Sequence, residues 1–275
     1  MTISAPRYAV GPTPRSGRGS RILAIAAREL VHRAEWGTLL AVALTYLVVA
    51  LVTVVYVWID SFVGSPTLAT FDSGIASPAW PLLLLVVTTA AGAGSIAEDV
   101  GNRSFTLYRS RPIHLVDYLT AKTIACGGWL LLAAVGPGLL AVALTAALGY
   151  AGPLLALQAA GAFAATGILA AVFFTGLALA LSSLTDRALY AGVAIFGLVL
   201  SLYIGAAVVV GITGNTSVAY ASPLDDLHAV AVGVFAVPGA TALGSGPSAA
   251  VLGGSGVALW AFAAWRLDRL EVIAE

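Results

Sequence analysis

The sequence predicts an all-α polytopic membrane protein with six transmembrane helices, an N-terminal interfacial amphipathic helix and an outer re-entrant hairpin. Of its 275 residues, 60% are hydrophobic and only 9% are charged, and the mean hydropathy is +0.97. A soluble domain has about 25% charged residues, so this composition excludes a chain whose whole surface faces water. Six apolar stretches of 17 to 25 residues contain no Asp, Glu, Lys, Arg or His, and a bilayer core takes about 20 helical residues.

The six predicted spans are helical because lipid cannot satisfy an exposed backbone. They are Thr38–Ile59, Ala79–Ile96, Ile124–Leu148, Gln158–Leu181, Ala188–Ile212 and Ala249–Trp265.

The basic residues predict the orientation of these spans. All thirteen Arg and Lys residues fall in the N-terminal segment, the second and fourth connections and the C-terminal tail. The other three connections contain only acidic charges, at Asp60, Asp72, Asp225 and Asp226. Because basic residues remain on the cytoplasmic side, we expect a multi-pass protein of the cell membrane with both termini in the cytoplasm.

The N-terminal segment divides into two parts. Residues 1–19 are rich in Pro, Gly, Ser and Arg and lack the apolar core of a cleavable signal peptide, so they are predicted to be a disordered tail. The transmembrane domain then covers residues 20–275. In Ser20–Trp36, charges recur at seven-residue spacing opposite an apolar side. This pattern predicts an amphipathic helix lying flat at the inner interface; the alternative is a simple extension of the first span.

The outer loop 213–248 contains a second apolar segment, Ala229–Gly244. It is only 16 residues long and is interrupted by a Pro-Gly pair. A seventh span here would place Arg266 and Arg269 outside, so a re-entrant or outer-interface hairpin is predicted.

Several chemical functions find no support in the residues. No span contains a charge or a histidine, which disfavours a proton relay and an intramembrane peptidase. The Walker phosphate-binding loop is absent, and the single Cys126 predicts a buried thiol. Asp225, Asp226 and His228 could form a weak metal site, although a solvated polar turn is preferred. We therefore expect a chain that is not an enzyme and holds no cofactor or metal.

The cytoplasmic loop 97–122 concentrates the remaining polar chemistry. Ser104–Ser110 can form a short helix that exposes apolar residues beside arginines, and Pro112 ends it. Such a helix suits docking in a groove of a soluble partner. A membrane-surface loop whose arginines only enforce topology is the alternative, and the residues alone leave both open.

This loop resembles the type-2 permeases of ATP-binding cassette (ABC) transporters. The resemblance lies in Glu98 and Gly101, the apolar-basic run after them, Arg111-Pro112, and then Tyr118 and Lys122. The inner turn Leu181–Asp186 and the opening Ala27–Leu30 are also similar to this family, so the resemblance covers nearly the whole chain.

The resemblance implies a permease without its own ATPase, which moves an apolar or amphipathic substrate, in the export direction. Its implied partners are a nucleotide-binding subunit holding ATP and Mg, a second permease copy or paralogue, and membrane lipid, with no nucleic acid. Ser104–Ser110 would be the coupling helix, and the amphipathic helix would be a connecting helix. The implied coupling residues are Glu98, Asp99, Gly101, Arg103, Phe105, Leu107, Tyr108, Arg109, Arg111, Pro112 and Lys122, and those of the connecting helix are Arg21, Arg28, Glu29 and Glu35. An ATP-independent carrier or channel, or a membrane anchor that recruits a soluble partner, are the alternatives.

Overall fold

The computed structural model describes residues 17–77, 79–102, 114–237 and 241–273. Within them the chain is almost entirely helical. The helices are α1 (Arg18–His32), α2 (Trp36–Val63), α3 (Ser73–Ala76), α4 (Ala79–Gly92), α5 (Gly94–Gly101), α6 (Leu115–Ala147), α7 (Pro153–Ser182), α8 (Ala188–Thr213), α9 (Pro223–Val234) and α10 (Ser245–Ile273), with 3-10 segments at Leu68–Asp72 and Thr216–Ala221. The predicted all-α class is confirmed.

Six helical segments of the described chain are long and apolar enough to cross a membrane: α2, α4 with α5, α6, α7, α8, and α10 as far as Arg269. The protein is therefore a multi-pass membrane protein, as predicted. The helices extend past the predicted ends because the prediction covered only uncharged stretches. Thus α6 begins at Leu115, and its 33 residues give a length of about 50 Å, well beyond a hydrocarbon core of about 30 Å.

The centre of the bundle is α7, which packs against α4, α6, α8 and α10. Glycines allow its closest approaches: a Cβ atom at Gly176 would overlap the backbone of Gly256 on α10. By contrast, α8 and α10 each pack on α7 and α9 but hardly on each other. Their exposed Leu and Val side chains suit contact with lipid.

The two ends of the bundle differ in charge. The basic end contains α1, the start of α2, α5, the start of α6 and the α7–α8 connection, with Arg33, Lys122 and Arg187. The acidic end contains the 3-10 segment Leu68–Asp72, α3 and α9, with Asp72 and Asp226. These names are used below.

Helix α1 differs from its prediction. It ends at His32, so a turn separates it from α2, and a continuous extension of the first span is wrong. Ala26 is buried where α1 packs against α6, whereas Leu23 and Val31 are exposed. Of the predicted tail 1–19, residues 1–16 lie outside the described part of the chain.

The acidic end holds a helix that begins earlier than the predicted apolar segment. Helix α9 starts at Pro223, where the Ser222 hydroxyl accepts a hydrogen bond from the Asp225 N–H (3.2 Å), and it packs against α10 and α7. Phe235, just after α9, lies edge-to-face on Phe163 of α7, with ring centroids 5.0 Å apart. The predicted solvated turn is wrong, because Asp226 lies inside α9 and is completely buried.

Candidate functional site

The candidate site is a network of charged side chains at the basic end. Arg33, in the turn between α1 and α2, is 6% exposed. Its Nη1 and Nη2 atoms donate to Oε1 and Oε2 of Glu98 on α5, at 3.1 and 3.0 Å. Its Nε atom donates to Glu29 Oε1 on α1 at 3.3 Å. The parallel contacts with Glu98 are the geometry in which a guanidinium binds a carboxylate most strongly.

Lys122 on α6 forms the other half of this network. It is 2% exposed, and its Nζ atom lies 2.8 Å from Glu29 Oε1 and 2.9 Å from Asp99 Oδ2. The Tyr118 hydroxyl, one turn earlier on α6, donates to the same Asp99 oxygen at 2.7 Å. The network therefore joins three helices, α1, α5 and α6, through two buried cations. Its carboxylates are more open to solvent, since the side chains of Glu29, Asp99 and Glu98 are 14%, 18% and 39% exposed.

The charges of the network nearly balance, with two cations and the carboxylates of Glu29, Glu98 and Asp99. Burial acts to lower the pKa of Arg33, but its hydrogen bond and charge contact with Glu98, assisted by Glu29, outweigh this and raise the pKa. Arg33 is thus held in its charged form. Removing Arg33 would leave Glu98 uncompensated but partly open to water, since Glu98 is 39% exposed. The cost should therefore be about 3 kcal/mol, the lower limit for breaking a buried pair.

Two further contacts attach α1 to α6. At the start of α1, Arg18 Nε donates to Asp117 Oδ1 at 2.7 Å, although the Arg18 side chain is 61% exposed. Near its end, the Leu30 carbonyl accepts from Trp129 Nε1 at 3.3 Å. Helix α1 therefore follows the first turns of α6 over much of its length.

Glycines make room for the network. A Cβ atom at Gly94 would overlap the Glu98 and Arg33 side chains, and one at Gly101 would overlap the Asp186 carbonyl in the α7–α8 connection. Gly101 is the last residue of α5, and its φ is not positive. Its role is close approach between α5 and the α7–α8 connection.

A serine on α7 fixes the helix break next to the network. The second span is interrupted at Ala93, between α4 and α5. The buried Ser182 hydroxyl accepts from the N–H groups of Ile96 and Ala97, both at 2.9 Å, and donates to the Ala93 carbonyl at 2.8 Å. A neighbouring span therefore supplies hydrogen bonds to the backbone of the second span where α4 passes into α5.

The structure brings together part of the predicted site. Glu29, Glu98, Asp99 and Lys122 meet in the network. Arg21 on α1 adds its positive charge near Asp117, and Arg28 and Glu35 are exposed. The remaining predicted residues lie outside the described part of the chain: Arg103, Phe105, Leu107, Tyr108, Arg109, Arg111 and Pro112.

Sequence reasoning did not assign Arg33, Tyr118 and Ser182 to the site. The first two had a usable signal, because Arg33 follows Glu29 by four residues, and Tyr118 precedes Lys122 by four, a spacing that puts side chains on one helical face. Nothing in the sequence shows that Ser182 reaches the second span.

Comparison with known proteins leaves the family open: neither a protein-family model nor a curated protein matches the chain. Among the described residues, no group of three or more His, Cys, Asp or Glu side chains is placed to hold a metal ion. The network of Glu29, Arg33, Glu98, Asp99 and Lys122 thus connects α1, α5 and α6, and this connection is called the joint below.

Proposed function

We propose that this chain is the transmembrane permease subunit of an ABC transporter. It would move an apolar or amphipathic substrate, in the export direction, using ATP hydrolysed by a separate nucleotide-binding subunit. The observation that supports this most is the network of Arg33 and Lys122 with three carboxylates, because it ties α1 to both helices that flank residues 103–113.

The network suits the transmission of a movement. A displacement of segment 103–113 must move the end of α5 and the start of α6, which directly flank it. Buried charge pairs with defined geometry resist separation, so α1 would move with them. An ATPase that binds two arrangements of this joint with different affinity would shift the equilibrium between them.

The proposal also states which end of the bundle faces the cytoplasm and which subunits bind the chain. The basic end would face the cytoplasm of a cell membrane and meet the ATPase. A second permease copy or paralogue would pair with the chain in the membrane. Helix α8 offers exposed surface for this subunit or for lipid, because only 17% of its most apolar 18-residue stretch is buried.

The test is a reconstitution with matched arginine variants. The tagged chain is purified from its native membranes, a co-purifying ATPase with a Walker motif is identified, and both are reconstituted in liposomes. Arg109→Glu in the proposed docking segment is compared with Arg187→Glu, which changes an exposed arginine of the other connection at the basic end. We expect Arg109→Glu to lower association about tenfold or more and to abolish coupled hydrolysis, with Arg187→Glu close to wild type.

Two outcomes would reject the proposal. One is unchanged assembly and ATP turnover in both Arg109→Glu and Phe105→Asp. The other is efficient labelling of a cysteine placed at position 106 by a membrane-impermeant reagent in intact cells, which would put this segment outside. Transport by the purified chain without any ATPase would instead identify a carrier or channel.

A further inference from the structure

A lateral groove near the acidic end has a mostly apolar wall with one acidic residue. The hydroxyls of Tyr220 and Ser255 also belong to its lining, but both bond to backbone atoms. The groove lies between α8 and α10, with α7 behind it and the start of α9 at its end, and has a volume of about 550 Å³. Because α8 and α10 hardly contact each other, the groove opens sideways. Its apolar lining includes Phe173, Leu177, Leu202, Leu252, Leu259 and Phe262.

The acidic residue is Asp226 on α9, which adjoins the groove. Asp226 is completely buried, and within the described structure neither of its oxygens has a hydrogen-bond partner. Burial raises the pKa of Asp226, and the Ser248 hydroxyl lies close enough to counter this rise by hydrogen bonding, although no hydrogen bond of regular geometry joins the two groups. Buried polar groups in native proteins are nearly always satisfied, and an unpaired carboxylate in apolar surroundings costs several kcal/mol.

The chain itself offers no cation to neutralise Asp226. The connections at the acidic end contain no Arg or Lys anywhere in the sequence. The two ionisable neighbours on α9, Asp225 and His228, line a different cavity. The charge of Asp226 is therefore removed either by its own protonation or by pairing with a positive charge on a bound molecule.

We propose that this groove binds a lipophilic ammonium ion, with the protonated amine on Asp226 and the apolar part along α7, α8 and α10. One carboxylate, that of Asp226, beside an apolar groove matches a molecule with one cationic head. An inorganic cation fits less well, since hard cations take several oxygen ligands and the lining is otherwise almost wholly apolar. The proposal goes beyond the proposed transport function, because binding here requires neither ATP nor a partner subunit.

The experiment uses the full chain in phosphatidylcholine nanodiscs and a pair of probes that differ only in charge. Equilibrium dialysis measures binding of 4-phenylbutylammonium and of neutral 4-phenylbutanol, with empty nanodiscs subtracted. We expect the wild type to prefer the ammonium about 30-fold or more, and Asp226→Asn to lose that preference. Asp225→Asn is the matched control, since it removes an equal charge from the next residue, and should stay within about twofold of wild type.

A second variant keeps Asp226 and fills the groove. Leu259→Trp should reduce binding of both probes, and it decides the question if Asp226→Asn does not fold. The proposal is overturned if the wild type binds ammonium and alcohol equally, if Asp226→Asn or Leu259→Trp binds the ammonium as the wild type does, or if radioactive sodium binds through Asp226 while the ammonium does not.

Discussion

The two ends of the bundle bury ionisable groups in opposite ways. At the basic end, Arg33 and Lys122 are 6% and 2% exposed, and both contact carboxylates between 2.8 and 3.3 Å. At the acidic end, Asp72 and Asp226 are 4% and 0% exposed, and both have carboxyl oxygens without a partner in the described structure. At the basic end, the buried charges are paired within the chain. At the acidic end, the buried carboxyl groups lose their charge penalty only through protonation or a bound ligand.

The pKa values follow this difference. Contacts with Glu98 and Glu29 outweigh burial and raise the pKa of Arg33, which favours its charge. Burial raises the pKa of Asp72 to about 6 and that of Asp226 to about 6, which disfavours the charged form of both carboxyl groups. A change of side chain should therefore destabilise one end and stabilise the other.

The largest effect is expected at the basic end. Arg33→Met keeps much of the side-chain volume but removes the cation that binds Glu98, whereas Glu29 keeps Lys122. Because Glu98 is 39% exposed, the variant should destabilise the protein by about 3 kcal/mol, the lower limit for breaking a buried pair. Thermal unfolding in one detergent, followed by tryptophan fluorescence, measures the loss. Arg28→Met is the control, because Arg28 is on the same helix and exposed. Similar losses in both variants would contradict a buried joint.

The acidic end should respond with the opposite sign. The raised pKa of Asp226 means that folding favours the protonated form, so the penalty is absent below about pH 4, grows as pH rises to about 6, and is constant above. Asp226→Asn removes the charge and should stabilise the protein by up to about 3 kcal/mol at pH 7, with little change at pH 4. Unfolding midpoints across this pH range give the difference.

Asp225→Asn is the control for that experiment, since Asp225 is only partly buried. A destabilised Asp226→Asn at pH 7 would show that the Asp226 carboxylate has a partner, and the contrast between the two ends would fail.

The sequence predicted the parts of this contrast that depend on local pattern. Uncharged runs located all six spans, and the polar density of the second connection located Glu98, Asp99 and Lys122. Arg33 and Glu98 are 65 residues apart, so their pairing follows from how α1 and α5 pack. For the same reason Asp226 was predicted to be solvated: its burial comes from the packing of α9 against α7 and α10.

A smaller effect should follow from loosening the joint at the helix break. Ser182→Ala removes the acceptor for two backbone N–H groups and a donor to the Ala93 carbonyl, so we expect a loss of about 2 kcal/mol. Ser183→Ala is a matched control, because that hydroxyl only donates to Ala180 in its own helix. If both variants unfold at the wild-type temperature, Ser182 does not stabilise the break.

The smallest effect is expected for an exposed ion pair. It shows whether the stability of the network depends on the burial of its cations or only on the number of its ion pairs. Arg18 pairs with Asp117 as closely as Lys122 pairs with Glu29, but it is 61% exposed. Arg18→Gln should therefore cost about 0–1 kcal/mol, and this cost should vanish in about 1 M salt, where charges are screened beyond about 3 Å. Most of the cost of Arg33→Met should persist in the same salt, because the side chains of Arg33 and Glu29 are only 7% and 14% exposed, although that of Glu98 is 39% exposed. Equal salt sensitivity in the two variants would mean that the basic end is open to solvent, and that its charges form a surface cluster instead of a joint.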